Sequence, residues 1–132
     1  MSDLGFKISF RITHPEENLK IAAEKLEMKP FRIWRSGDQR QTPKGKKLDG
    51  KHDSSYCCVD LDGIEGHSVS EKLEKFLEKA DKHHNYWVDL ANTGGNLSIV
   101  VYNEGDGRFV DVFNWRLLEH LSRLKISLGF EC

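Results

Sequence analysis

Residues 6–13 alternate without a break, with Phe6, Ile8, Phe10 and Ile12 on one side and Lys7, Ser9, Arg11 and Thr13 on the other. A period of two predicts a half-buried strand whose second side is wet or faces a partner. Thr13-His14-Pro15-Glu16 then reads as a helix start: threonine can cap, proline is tolerated in the first turn, and Glu16 completes a capping box. Leu19, Ala22, Ala23 and Leu26 follow at helical spacing. Together they predict a helix over residues 14–27 packed on that strand, closed by Pro30.

Phe31, Ile33 and Arg35 against Arg32 and Trp34 suggest a short second strand. The polar stretch from Ser36 to Ser54 is punctuated by Gly37, Pro43, Gly45 and Gly50, and reads as a long loop. Tyr56 to Leu61 restores a strand. Ser68-Val69-Ser70-Glu71 is a second capping box, opening a helix of about 24 residues or ~36 Å. Its stripe is Leu73, Phe76, Leu77, Ala80, His84, Trp87, Leu90 and Ala91, with room for a bend near His83-His84-Asn85, and Gly94-Gly95 stops it. Leu97 to Tyr102 and Arg108 to Phe113 read as a hairpin joined through residues 103–107. Asn114 can cap a third helix carrying Leu117, Leu118, Leu121 and Leu124, and Ile126, Leu128 and Phe130 alternate in a last strand. The expected fold is α+β, a two-layer sandwich in the order β-α-β-β-α-β-β-α-β. A mostly antiparallel sheet of about six strands carries three helices on one face, as a single domain over residues 1–132.

At 132 residues with 38% apolar and 31% charged positions, the chain can bury a core without metal or disulfide staples. The opening Met1-Ser2-Asp3-Leu4-Gly5 has no basic stretch leading into an apolar run, so no signal peptide is expected. Nor does any stretch approach the ~20 apolar residues of a membrane span. Cys57, Cys58 and Cys132 make a poor disulfide framework and suit a reducing cytoplasm. The net charge of −1 hides an asymmetry. Between Lys29 and Lys51 lie eight basic residues against Asp38 and Asp49, a surplus of six, while the remainder carries a deficit of seven. Such segregation can steer an anionic partner to one face and a cationic one to another.

Several of these segments together resemble a known family. Phe10-Arg11-Ile12-Thr13-His14-Pro15 leads to Trp34-Arg35-Ser36-Gly37-Asp38-Gln39-Arg40, then Thr42-Pro43-Lys44-Gly45, Leu48-Asp49-Gly50 and Ser54-Ser55-Tyr56. In combination they resemble the bacterial domain of unknown function 4279 family over nearly the whole chain. Cys57-Cys58 is a departure, since the family often carries a tryptophan after this tyrosine. Small α+β domains of this sort look like immunity proteins, which neutralise toxins by tight binding. The resemblance therefore implies a cytoplasmic protein whose partner is a cognate toxin.

Two charged sets are candidate binding sites. The basic loop offers Arg35, Arg40, Lys44, Lys46 and Lys47 to phosphates, nucleic acid or an acidic protein, with Trp34 and Tyr56 available for stacking. Its blander reading is a solvated loop pinned by Trp34. The acidic alternative is Asp60, Asp62, Glu65, Glu104 and Asp106, with Asp111 nearby, which could meet a basic toxin groove. Cys57 and Cys58, near His52 and Asp53, invite a nucleophile reading, yet adjacent strand residues point to opposite faces. The six histidines fall in no metal-binding spacing, and His84 reads as a semi-core residue of the long helix. Gly94-Gly95 and Gly105-Asp106-Gly107 fit turns better than phosphate loops. The expectation is a binding protein, not an enzyme, without cofactor or metal. Nucleic-acid or phosphate binding through residues 35–51 is the alternative.

Overall fold

A computed structural model describes residues 5–104 and 111–131. The elements run β1 (Phe6–His14), α1 (Lys20–Leu26), β2 (Arg32–Trp34), β3 (Gln39–Gln41), β4 (Lys47–Lys51), β5 (Ser55–Asp60), α2 (Val69–Asp81), α3 (His84–Asn92), β6 (Asn96–Asn103), α4 (Trp115–Arg123) and β7 (Ile126–Glu131). Five strands form one sheet in the order β2-β5-β1-β6-β7, and β3 and β4 form a separate two-stranded ribbon. Only β6 and β7 pair in parallel within the large sheet. The α+β class and the mostly antiparallel sheet are as expected. The described elements differ from the expected order by the ribbon, by a helix broken in two, and by the lack of a strand over residues 111–113.

The alternation in β1 decides which face is buried. Ile8, Phe10 and Ile12 turn inward, beside Cys57 and Val59 of β5 and Leu97, Ile99 and Val101 of β6. Leu26, Leu73, Phe76, Leu77, Trp87, Leu90, Leu117 and Leu121 from the four helices close over them in one core. The Phe10 ring lies 5.0 Å from Phe76 and 5.8 Å from Trp87, tilted and edge-on, the arrangements that ring quadrupoles favour.

Where side chains replace backbone partners, local expectations fail. Thr13 and His14 end β1 instead of starting a helix, and α1 begins only at Lys20. The expected cap is absent, since Leu19 opens α1 without a side-chain cap. The His14 ring instead holds the turn ahead of the helix, its Nδ1 accepting from the Glu16 and Glu17 amides at 3.1 Å each and its Nε2 meeting Thr93 Oγ1 at 2.8 Å. The expected 24-residue helix breaks at Lys82-His83. There the Trp87 indole donates to the Ala80 carbonyl at 2.8 Å, and His83 N–H donates to the same oxygen at 3.0 Å. The break rotates His84 into solvent, so it is no semi-core residue. Both expected caps further on are present, with Ser68 Oγ accepting from Glu71 N–H and Asn114 Oδ1 from Leu117 N–H. The returning strand expected over Arg108–Phe113 falls partly on residues outside those described, and residues 111–113 form no strand. Instead the Asp111 carboxylate accepts from Ser70 N–H and Ser70 Oγ, at 3.0 and 2.8 Å, pinning the start of α2.

Gly95 shows how tightly α3 turns into β6. Its N–H donates to the Leu90 carbonyl at 2.7 Å, and a Cβ there would collide with that carbonyl and stand 3.2 Å from the His14 ring. Gly95→Ala should therefore destabilise the fold by about 1–3 kcal/mol in urea titration, as overpacking of a close backbone approach does. Gly129→Ala, whose Cβ would find no atom nearer than 4.0 Å, should stay within about 0.5 kcal/mol of the wild type. Equal effects at both positions would contradict this reading of the α3–β6 turn.

Candidate functional site

The four helices all pack on one face of the sheet, and among the described residues no element covers the other. Register lays that face out in rows. Trp34, Tyr56, Thr13 and Asn96 lie at one end, followed by Arg32, Cys58, Arg11 and Ser98. Asp60, Ser9 and Val100 come next, and Lys7, Tyr102 and Glu131 reach the far end.

The far half of this face is a trough of about 280 Å³. Cys58, 7% exposed, and Ser9 lie on its floor. Two large aromatic side chains line it, Phe31 at 78% exposure and Tyr102 at 42%. Phe31 stands just ahead of β2, held by its N–H donating to the Cys58 carbonyl at 2.7 Å. Between them Arg11 is braced across the sheet, its Nε donating to Ser9 Oγ at 3.2 Å and its Nη1 to Glu131 Oε1 at 3.3 Å. Half-buried in place, this guanidinium keeps further donors beyond those two bonds.

At the near end the aromatics stack on one another. The Trp34 indole lies 4.1 Å from the His52 ring and 4.7 Å from Tyr56, nearly parallel to both, with the Arg32 guanidinium 5.2 Å from its centre. The indole N–H donates to the Ser54 carbonyl at 3.1 Å. Burial first, then the adjacent Cys58, pushes the Tyr56 phenol up to about 12, with Arg11 and Arg32 pulling the other way. Tyr56 is thus a neutral phenol at physiological pH.

The family model described as Domain of unknown function (DUF4279) matches residues 5–132. The chain belongs to the DUF4279 family. Neither the curated proteins nor the solved structures give a match for it.

In this DUF4279 domain the two expected charged sets fare differently. Residues 36–54 are not one long loop. They contain the β3–β4 ribbon, every strand residue of which is exposed. The ribbon gathers Arg40, Lys44, Lys46 and Lys47, with Arg35 at its root. Its base is closed by Gly37 N–H on the His52 carbonyl at 2.8 Å and His52 N–H on the Asp38 carbonyl at 2.9 Å, and the Trp34–His52 stack ties it to the sheet. Arg35 N–H donates to Asp38 Oδ2, and Arg40 Nη1 reaches the Asp49 carbonyl.

Of the acidic set, Asp60 and Asp62 are engaged in holding the fold. Asp62 Oδ1 accepts from Ile8 N–H at 3.0 Å, its N–H donates to Asp60 Oδ1 at 2.8 Å, and the buried Lys72 donates to its carbonyl at 2.8 Å. Glu65 pairs with Lys75 and Glu104 with Lys7, each at 3.8 Å. Asp106 lies outside the described residues. Cys57 faces the core, where burial, followed by Cys58, pushes its thiol up to about 11, so little thiolate forms near neutrality. No group of three or more potential metal ligands occurs among the described residues, and none of their helices is long and apolar enough to cross a membrane.

Arg11, Arg32, Phe31 and Tyr102 were not singled out from the sequence as site residues. The alternation in residues 6–13 did mark the side on which Arg11 stands, but only strand order brings Phe31 and Tyr102 to the same trough.

Asp62 yields a prediction with a definite sign. Burial raises its carboxyl above the ordinary range, reinforced by Asp60 and opposed by the Ile8 N–H bond and Lys72. A raised folded-state value gives stability that is full below the unfolded value and lost as pH rises through the folded one. Asp62→Asn keeps an acceptor for Ile8 N–H and removes that loss. Its stability relative to the wild type should therefore rise from about pH 4 to pH 7. A relative stability that is flat or falling across that range in chemical denaturation would contradict the assignment.

Proposed function

We propose that this protein works by binding another protein on the uncovered face of its sheet, and that the partner is a toxin it neutralises in the bacterial cytoplasm. The observation that carries the reading is the trough between Phe31 and Tyr102. Protein interfaces concentrate their binding energy in aromatic and arginine side chains, surrounded by contacts that exclude water. The trough has that composition: two exposed aromatics, the braced guanidinium of Arg11, and a floor of small residues that lets a partner approach the sheet closely. Ordered strands hold most of these groups, so little conformational entropy would be lost on docking. A face of five strands can also supply the ~800 Å² per partner of an ordinary specific interface.

The toxin identity draws on the small α+β domain and the resemblance set out above. The test is calorimetry between the purified protein and the polypeptide encoded just upstream of it, together with an assay of that polypeptide's toxicity. One-to-one binding with loss of toxicity is the expected result. Phe31→Ala and Tyr102→Ala should each weaken the complex by about 2 kcal/mol, roughly 30-fold, without lowering thermal stability. Absence of any complex would reject the toxin reading. A complex indifferent to both substitutions would move the interface away from the trough.

A further inference from the structure

The β3–β4 ribbon and the adjoining β2 edge carry the charge surplus of the chain. Lys29, Arg32, Arg35, Arg40, Lys44, Lys46, Lys47 and Lys51 are all exposed, and none has a carboxylate at ion-pair distance among the described residues. Every ion pair among those residues lies elsewhere: Lys7 with Glu104, Arg11 with Glu131, Lys75 with Glu65, His120 with Asp81. The two acidic residues within the segment do not change this. The Asp38 carboxylate accepts from a backbone N–H, and Asp49 meets Arg40 through its carbonyl oxygen.

Like charges collected on a two-stranded ribbon repel one another, and this ribbon buries none of its strand residues in return. It is nevertheless held in a defined position by the His52 bonds and the Trp34–His52 stack, beside the face that bears Arg32 and Arg11. The arrangement is a fixed cationic arm next to a binding face.

We infer that the ribbon is an electrostatic steering arm for an acidic polypeptide surface, which sets how fast the partner docks on the neighbouring sheet face. The inference rests on the protein-binding reading and adds the chemistry of the partner: its surface is acidic where it meets residues 40–47.

A polynucleotide fits less well, for two reasons visible in the fold. Single-stranded nucleic acids bind such grooves by stacking bases on aromatic rings. At the arm itself the Trp34 indole already carries His52, Tyr56 and the Arg32 guanidinium, and the exposed rings of Phe31 and Tyr102 lie beyond it in the trough. A nucleic acid also needs a continuous basic path. The net basic surplus is confined to residues 29–51, while the rest of the chain has seven more acidic than basic residues.

The decisive variant is Lys44→Glu/Lys46→Glu/Lys47→Glu, at positions exposed on the ribbon and its turn. Its melting temperature, checked first, should match the wild type. Fluorescence anisotropy at low salt then compares poly-L-glutamate with single-stranded DNA of matched charge. The wild type should bind the peptide, and the variant should lose at least about tenfold in affinity. No binding of poly-L-glutamate overturns the inference. So does a preference for the DNA greater than about tenfold, which would make the arm a nucleic-acid site.

In the complex with the upstream polypeptide, the variant and raised salt should each slow association by about tenfold or more while dissociation stays within roughly threefold. Association indifferent to both would sink the steering arm and leave the protein-binding reading intact. If that polypeptide fails to bind while poly-L-glutamate binds as expected, the toxin identity falls and the acidic preference of the arm stands.

Discussion

The register of β1 between β5 and β6 is the constraint on which the rest depends. Phe10 sits opposite Val59 on one side and Ile99 on the other, and its ring packs against Phe76 and Trp87 from two different helices. Each such side chain contributes about 1.5–3 kcal/mol when removed from water. A slip of one residue would turn Ile8, Phe10 and Ile12 to solvent and put Lys7, Ser9, Arg11 and Thr13 under the helices. Burying Arg11 without a partner would cost far more than any alternative pairing returns. The same alternation therefore fixes both the helix-covered core and the polar character of the bare face. The core and the candidate site are two sides of one strand.

This explains what was legible in the sequence. Strand β1, the caps at Ser68 and Asn114, the stop at Gly94-Gly95 and the α+β class all rest on local periodicity or on backbone chemistry within a few residues. The misread places are those where a distant side chain takes over a backbone role. His14 resembles a residue in a helix start because Thr13 and Glu16 flank it at capping-box spacing. Its ring, fixed by Thr93 some eighty positions away, instead accepts from the Glu16 and Glu17 amides of a turn that follows a strand. The apolar stripe of residues 73–91 continues at nearly helical spacing, yet the helix breaks, because the Trp87 indole replaces part of the lost hydrogen bonding at the Ala80 carbonyl. The ribbon was illegible for a different reason. A strand pair that buries nothing imposes no period on its sequence, so Gln39–Lys51 reads as polar loop.

The candidate site was legible in part for the same reasons. The basic residues are contiguous in sequence, and the ribbon keeps them together in space. The acidic residues looked equally available as a list, but the fold assigns Asp62 to Ile8 N–H, Asp111 to the start of α2, and Glu65 and Glu104 to lysines. Phe31 and Tyr102 lie about seventy positions apart and share a trough only because β5 and β1 alone separate β2, which Phe31 precedes, from β6.

The concentration of unpaired bases in one segment is what gives the surface a direction. A carboxylate paired with a lysine, as Glu65 and Glu104 are, has its field partly compensated by that charge and contributes little at the distance of an approaching molecule. Eight cations without carboxylate partners keep theirs. A net charge of −1 therefore describes the approach of a partner poorly. What a partner meets is a positive arm at one end of the bare sheet, then a trough in which Arg11 is already shared with Glu131. Long-range attraction and short-range fit lie on adjacent but separate elements. Substitutions on the ribbon can thus change the rate of encounter without disturbing the trough, and substitutions in the trough can change the lifetime of a complex without altering its formation.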